Sequence, residues 1–493
     1  MPTVQELLSN DDLLLRKRPF FRGGETFKVN DPTDGNEYIV QSKTRAVLPN
    51  VNKRTVSQER FLLERDPNCH NVMFDDNIPK IWVKMKDGYY YQYEFKRMGL
   101  PFQERILEKQ TLHLCGNRTE FTLRKRNPSD VDKENFAVIK EYWEDRNMDG
   151  MRTKAISTQK GLGDCGLLFY YNSRGEIRCR LISYEDGYVI ISHNDDNGER
   201  ALEVIYYKDD YGNEIKDCYD FKNRYRITTN SDGERVIEVT PHGFDEIPVV
   251  TKRGDVAWNN SQSTIEMYET MYNLFLFTQK RLGFGILYVK GKFKEQAAQI
   301  AGNVILNDTS IDGKGDAKML TTHATQGMIE YLNDLFEKIQ ISSSTTFLLP
   351  KDIKTGGDIS AIAIMLTQSL DLECAEKGVI DWQNFMDKMM RLFKQGLAKE
   401  LVNNGINPRA VTDFAKLRIS TKLKVWRPFN ETEYNNMLIS LKGAGIISTK
   451  TAIEKNTISK PDEEARIDKE LEGKILSSTK TIEEPEEGII IEE

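Results

Sequence analysis

The sequence predicts an α+β fold, and three observations carry that prediction. Between residues 164 and 252, short β-rich runs alternate with turns rich in glycine, asparagine and aspartate. From residue 262 onward, apolar residues recur at intervals of three and four, the spacing of an amphipathic helix. Between the first two helical stretches lies a glycine-rich insert, residues 282–326. At 493 residues the chain is long enough for about two to four domains of roughly 150 residues each. With 39% hydrophobic and 29% charged residues it can build a core beneath a well-solvated surface.

Residues 1–160 are mixed. Helical patches such as Thr55–Leu63 and Phe136–Asp149 alternate with short strands such as Lys80–Lys84 and Tyr89–Glu94. The β-rich region runs through Leu167–Tyr171, Ile177–Ile182, Tyr188–Ser192, Leu202–Lys208, Cys218–Asp220, Tyr225–Thr229 and Arg235–Thr240. Turn signals at Asn172–Gly175, Asn194–Gly198, Asp209–Gly212 and Asn230–Gly233 make this a sheet of hairpins. After Pro241–Pro248 the period changes, and Gln262–Arg281 reads as one helix roughly 30 Å long. Its apolar positions (Ile265, Met267, Tyr268, Met271, Tyr272, Leu274, Phe275, Leu276, Phe277) are too many for one stripe, so it is expected to pack on more than one side. The insert reads as a strand Ile286–Lys290, a helix Lys294–Ala301, a strand Asn303–Leu306, a turn Asp312–Asp316 and a strand Ala317–Thr321. Met328–Ser342 is helix again, so the simplest geometry is an antiparallel two-helix stalk with a small α/β knob at its tip.

In Phe347–Gly357, Pro350 and Gly356-Gly357 forbid continuous helix, and Lys351 and Lys354 supply charge. Asp358 can cap the next helix. From Ile359 to Val402 two stripes recur, Ile359, Ile362, Leu366, Leu370, Cys374 and then Trp382, Phe385, Met389, Phe393, Leu397, Leu401. This is a helix of roughly 65 Å with Gly378 and Gly396 as candidate bends. Ala415–Trp426 reads as a strand with Lys416, Arg418, Lys422 and Lys424 on one face and Leu417, Ile419, Leu423 and Val425 on the other. Residues 430–471 are helical, with starts at Ser448 and Asp462, and 473–493 form an acidic tail.

Most enzymatic readings find little support. Net charge is −7, unlike a conventional duplex-DNA binder. The six cysteines form no CxxC and suit a reducing compartment. The five histidines form no HxH or HExxH, so no metal or cofactor site is expected. The N-terminus does not read as a signal peptide, and no apolar run approaches the roughly 18 residues that span a bilayer. A cytoplasmic protein, or one assembled there, is expected. Gly161, Gly163 and Gly166 spell G-x-G-x-x-G, but the dinucleotide fingerprint needs strand, glycines, then helix. Here a helix precedes and a strand comes after, and Asp164 would repel phosphate, so a structural turn is expected, with Gly166 least tolerant of alanine. Cys69-His70 lies in what reads as a surface turn, and no catalytic residues are assigned. The carboxylate pairs Asp75-Asp76, Asp195-Asp196 and Asp209-Asp210 belong to turns.

The order of these parts resembles the portal proteins of tailed double-stranded DNA bacteriophages, from about Tyr142 to Leu471. The stretches "GDCGLLFYYNSRGEIRCRLI", "PHGFDEIPVV", "SQSTIEMYETMYNLF", "KTGGDISAIAIMLTQSLDLECAEK" and "LKGAGIISTKTAIEKN…DEEARIDKEL" carry it, in that order and with the family's gaps. The "KTGGDIS" stretch departs from the family's usual Ser-Gly wording.

The resemblance implies a phage portal fold: an α/β wing (1–260), stem helices (261–281 and 327–346), a small α/β clip (282–326), a tunnel loop (347–357), a long kinked wing helix with its following strand (358–429) and a helical crown (430–472). It implies a homo-oligomeric ring of about twelve copies at one capsid vertex, through which double-stranded DNA is packaged and ejected. The expected channel residues are Leu348, Leu349, Pro350, Lys351, Asp352, Lys354 and Thr355. The expected docking residues of the clip are Asn307, Asp308, Asp312, Lys314 and Asp316, facing the terminase large subunit and afterwards a head-tail adaptor. The major capsid protein is the remaining partner, no membrane is involved, and the location is the virion, with host cytoplasm during assembly. One alternative is another ring-forming head-tail or baseplate protein, which predicts no stalk and knob. Another is a nucleotide enzyme using residues 161–166, in which Gly163→Asp would abolish activity without disturbing folding.

Overall fold

The antiparallel strands expected between 164 and 252 are present, but they are shared between two sheets. The computed structural model describes residues 4–9, 26–30, 37–41, 53–75, 81–84, 90–93, 96–229, 234–282, 286–290, 304–308, 316–320, 325–347, 366–405, 414, 416–427, 431–456, 463 and 465–470. The chain divides into two compact units, one of residues 1–347 and 370–426, the other of residues 348–369 and 427–493.

The first unit opens with α1 (Val4–Ser9), the hairpin β1 (Thr26–Asn30) and β2 (Glu37–Gln41), α2 (Lys53–Arg65), and the hairpin β3 (Ile81–Lys84) and β4 (Tyr90–Tyr93). Then come α3 (Phe102–Cys115), β5 (Glu120–Leu123), α4 (Asp130–Asp145) and α5 (Met148–Leu162). The single helix expected over Phe136–Asp149 is two helices. Asn147 breaks it in the left-handed region (φ 49°), where its side chain accepts from Gly150 N and starts α5.

The start of α4 is a capping box. Ser129 Oγ accepts from Asp132 N at 3.2 Å, and Asp132 Oδ2 accepts from Ser129 N at 2.8 Å. Hydrogen bonds from Lys125 and from Ser129 hold the Asp132 carboxyl down, to about 2. A depressed folded pKa stabilises above the unfolded value and is lost as pH falls through the folded one, here roughly pH 4 to 2. Asp132→Asn is therefore expected to lower the melting temperature at neutral pH and to converge on the wild type by about pH 2. Thermal denaturation across that range checks it, and a difference independent of pH would refute it.

The strands come next, in hairpin order. They are β6 (Asp164–Tyr171), β7 (Ile177–Ile182), β8 (Val189–Asn194), β9 (Arg200–Lys208), β10 (Glu214–Tyr219), β11 (Asn223–Thr229), β12 (Arg235–Pro241) and β13 (Val249–Arg253). One sheet has the order β12-β11-β10-β9-β8, the other β13-β6-β7, and all pairings in both are antiparallel. The strand expected at Cys218–Asp220 is longer because Asp217, a charged residue that breaks the apolar pattern, is buried within it. Arg224 and Arg226 both donate to its carboxylate, and Tyr207 OH donates at 3.3 Å.

Next come α6 (Gln262–Leu282), β14 (Ile286–Lys290), β15 (Val304–Asp308), β16 (Asp316–Leu320) and α7 (Thr325–Ser343). α6 and α7 pack antiparallel: Ile265 shares a core cluster with Ile339, and the Tyr268 and Phe336 rings lie 6.4 Å apart. The three strands between them form their own sheet, with β14 parallel to β15 and antiparallel to β16. The helix expected at Lys294–Ala301 lies outside the described residues.

The long helix α8 (Ser369–Asn403) buries the expected stripe Trp382, Phe385, Met389, Phe393, Leu397 and Leu401. Phe393 meets Trp143 of α4 edge to face at 5.3 Å, in a core shared with α3, α5, β6 and β7. The helix runs unbroken for 35 residues, roughly 52 Å, through Gly378 and Gly396. Both glycines are points of close approach: a Cβ would come within 3.0 Å of Leu114 and 2.3 Å of Ile177 respectively. The expected stripe does not hold in the first half. Leu366 is exposed, and the buried positions are Asp371, Ala375 and Val379. Ile359 and Ile362 lie outside the described residues.

Among the described residues of the strand expected at Ala415–Trp426, Ile419–Lys422 (β17) forms the ladder, antiparallel to β5. The alternation extends further, with Leu417, Thr421, Leu423 and Val425 buried and Lys416, Arg418, Lys422 and Lys424 exposed. In the second unit, α9 (Glu431–Gly443) is followed by α10 (Thr449–Lys455), capped by Ser448 Oγ accepting from Thr451 N at 3.1 Å.

Candidate functional site

The glycine motif is a junction between helix and strand. Gly161 is in the last turn of α5, Gly163 caps it in the left-handed region (φ 79°) and Gly166 is inside β6. Asp164, which would repel phosphate, is buried and accepts from Gln58 Nε2. At Gly166 a Cβ would crowd the end of the Ile190 side chain, 2.5 Å away, with Ile182 and Thr251 at ordinary contact distance, whereas at Gly163 it would meet Phe61 and the Gly254 carbonyl in a backbone that favours glycine. Gly163, rather than Gly166, is therefore the position that alanine fits least.

The Cys69-His70 turn is not a plain surface turn. Two short 3₁₀ turns, Pro67–Cys69 and Asn71–Phe74, direct His70 inward, and the side chain is buried. Its Nε2 donates to Glu64 O at 2.8 Å, and its Nδ1 is 2.7 Å from Glu269 Oε1 on α6. Glu269 also accepts from Leu100 N at 2.7 Å, and Asn273, one turn on, bonds both the N–H and the carbonyl of Met98. Trp258 Nε1 donates to Glu64 Oε2 at 2.9 Å. The buried row of α6 is thus Ile265, Glu269, Asn273 and Phe277, two of them polar. Met267 is half exposed, and Tyr268, Met271, Tyr272, Leu274, Phe275 and Leu276 are only partly buried.

Where α7 ends, Ser344 adopts the left-handed region (φ 50°). Thr345 N donates to Gln340 O and Ser344 N to Ile341 O, the paired bonds of a Schellman motif with serine in the position usually held by glycine. Phe347 N donates to Gln340 Oε1, and its ring packs against Phe102 and Phe336. Thr346 N donates to Asp371 Oδ2 at 3.1 Å, drawing together the two ends of the stretch that contains the irregular segment. Lys109 of α3 contributes its ammonium to both Thr346 O and Asp371 Oδ2. Burial pushes the Lys109 ammonium below its usual range, and Asp371 opposes that shift. The residues expected in the segment itself, Leu348, Leu349, Pro350, Lys351, Asp352, Lys354 and Thr355, lie outside the described residues.

The insert brings its expected residues to one end of a sheet. Lys290 closes β14 and is in register with Asp308 on one side and Asp316 on the other, with Asn307 opposite Val289. By chain connection this end is remote from the helices, since the Ile286–Leu320 pair lies next to them in sequence. Asp312 and Lys314 lie outside the described residues.

The carboxylate pairs behave as turn residues: Asp195 Oδ1 accepts from Asn197 N and Glu199 N, and Asp209 Oδ1 from Tyr211 N and Asn213 N. Among the described residues no cluster of His, Cys, Asp and Glu could hold a metal, and no helix is long and apolar enough to cross a membrane. On the basic row, Lys424 pairs with Glu120 at 3.1 Å.

The family model "Phage portal protein, SPP1 Gp6-like" matches residues 77–475. No curated protein matches the chain. A solved structure described as "Neck of empty GTA particle computed with C6 symmetry" aligns at 11% identity and a TM-score of 0.37, over 71% of this chain and 88% of that one.

Proposed function

From a chain that belongs to the SPP1 Gp6-like family of phage portal proteins, a structural rather than enzymatic family, we propose a portal ring of about twelve copies at one capsid vertex. In this reading the ring is the channel for packaging and ejecting double-stranded DNA. Residues 1–260 and 358–429 are the wing, α6 and α7 the stem, 282–326 the clip, 347–357 the tunnel loop and 430–472 the crown.

The observation that carries the reading is the antiparallel pair α6–α7 with a small independent sheet between its members, within the span of the family match. A ring-forming component of another kind predicts no such arrangement. The partly exposed apolar side chains of α6, together with Ile329, Tyr331 and Ile341 of α7, favour further packing against a neighbouring copy. The end of the clip sheet, where Lys290 is in register with Asp308 and Asp316 and Asn307 is one position back, is the docking surface for the terminase large subunit and then a head-tail adaptor. The major capsid protein surrounds the assembled ring, and assembly takes place in host cytoplasm.

A channel through which a genome slides should bind phosphate weakly, because each neutralised phosphate adds affinity. A charge of −7 per copy, repeated around a ring, suits that requirement. Lys351 and Lys354 supply brief contacts to the passing backbone. The double variant Lys351→Glu/Lys354→Glu is expected to assemble normally and to impair packaging and DNA retention, measured as DNA-filled heads. Unchanged yields would remove the two lysines from the channel. A compact monomer at high concentration in negative-stain images, in place of a ring with a central hole, would overturn the whole reading.

A further inference from the structure

The chain leaves the first unit after Phe347, returns at Leu370 and leaves again after Trp426. All three places are fastened to one helix, α3. Phe102 packs its ring on Phe347, with centroids 6.0 Å apart. Lys109 bonds Thr346 O and pairs with Asp371 at 3.4 Å. Gln110 Nε2 donates to Ser343 O at 2.7 Å. One turn beyond Lys109, His113 Nδ1 lies 3.2 Å from Trp426 O, Trp426 N donates to His113 O at 2.8 Å, and the two rings meet at 5.3 Å. We propose that α3 is the mount that fixes Thr346, Asp371 and Trp426, beside the three places where the chain leaves or rejoins the first unit, in a single register, with Lys109 as its positioning residue. The inference rests on reading 347–357 as the channel loop.

The physical case is one of burial. The Asp371 side chain is 1% exposed and Lys109 17%, so neither charge is well solvated if the other moves away. Thr346 N and Lys109 share the same carboxylate oxygen, so displacing either end of the stretch strands a buried group at the other. α8 is held against the same helix, since Gly378 leaves room only for Leu114 of α3. Displacement of Thr346 or Asp371 is therefore resisted by α3, whose C-terminal turn carries Trp426. This assigns to the pair Lys109–Asp371 a role that apolar packing alone would not provide.

The test uses the full-length assembled ring and compares Lys109→Met, Lys109→Arg and Asp371→Asn. Hydrogen exchange at the Thr346 and Asp371 amides is expected to accelerate at least about tenfold in Lys109→Met. Exchange in α4, around Trp143, should be unchanged. Lys109→Arg should restore the slow rates, and Asp371→Asn, which preserves side-chain shape should the first variant not fold, should shift them in the same direction. Rates within twofold of wild type would overturn the proposal. So would an acceleration spread evenly through the core, because that would make Lys109 merely structural. DNA packaging is scored separately: accelerated exchange with full packaging leaves the mount standing and removes the channel reading of the loop, whereas unchanged exchange removes the mount whatever packaging does.

Discussion

Replacing Glu269 by alanine is expected to cost about 3–5 kcal/mol, because it empties the centre of a buried polar node. The carboxylate is 1% exposed and lies 2.7 Å from both His70 Nδ1 and Leu100 N. Alanine leaves His70 Nδ1 and the Leu100 N–H without the acceptor they share. Glu269→Gln keeps the shape and one acceptor, and a smaller loss of about 1–2 kcal/mol is expected. Urea denaturation of the full chain measures both, with Leu100 amide exchange as the local readout. A loss below about 1 kcal/mol for alanine would show that the node does not hold α6 in place. The position matters because α6 is the first of the two helices that carry the insert, and Glu269 and Asn273 tie its first half to the 64–100 region.

Gly396→Val is expected to destabilise by about 3 kcal/mol through overpacking. A Cβ there would lie 2.3, 2.6 and 3.2 Å from Cδ1, Cγ1 and Cβ of Ile177, so rotating the end of the isoleucine does not relieve the clash. The gain in helix propensity from glycine to β-branched valine, on the order of a few tenths of a kcal/mol, is too small to offset it. Thermal and urea midpoints check the loss. The double variant with Ile177→Ala should recover part of it, since the second substitution removes the atoms that clash. If the double variant is merely the sum of the two losses, the close approach of α8 to β7 is not the cause.

Much of the architecture was legible from periodicity. The hairpin strands, the helices on either side of the insert and the second stripe of α8 all arise from apolar spacing and turn residues, because a half-buried strand or helix must place its apolar side chains at period 2 or 3.6. Gly163 illustrates how local context corrected a motif: helix before and strand after left no place for a pyrophosphate, and the structure has a cap there. Several differences concern polar residues. Asp217, Glu269, His70 and Asp371 are buried where apolar spacing does not place them, and Asn147 interrupts a stretch that reads as one helix. Each owes its position to a partner distant in sequence or, for Asn147, to a backbone conformation that side-chain spacing does not encode.

The sequence by itself determined the alternation of sheet and helix, the helix pair around the insert, the alternating face of residues 416–425 and the order of parts that marks the family. These depend on neighbours within one or two turns or along one strand. Only the tertiary structure decided that the β region is two sheets, that charged residues lie in the core, and that α3 gathers Thr346, Asp371 and Trp426. A buried charge is stable only beside its partner, and for Lys109 and Asp371 that partner lies 262 residues away along the chain.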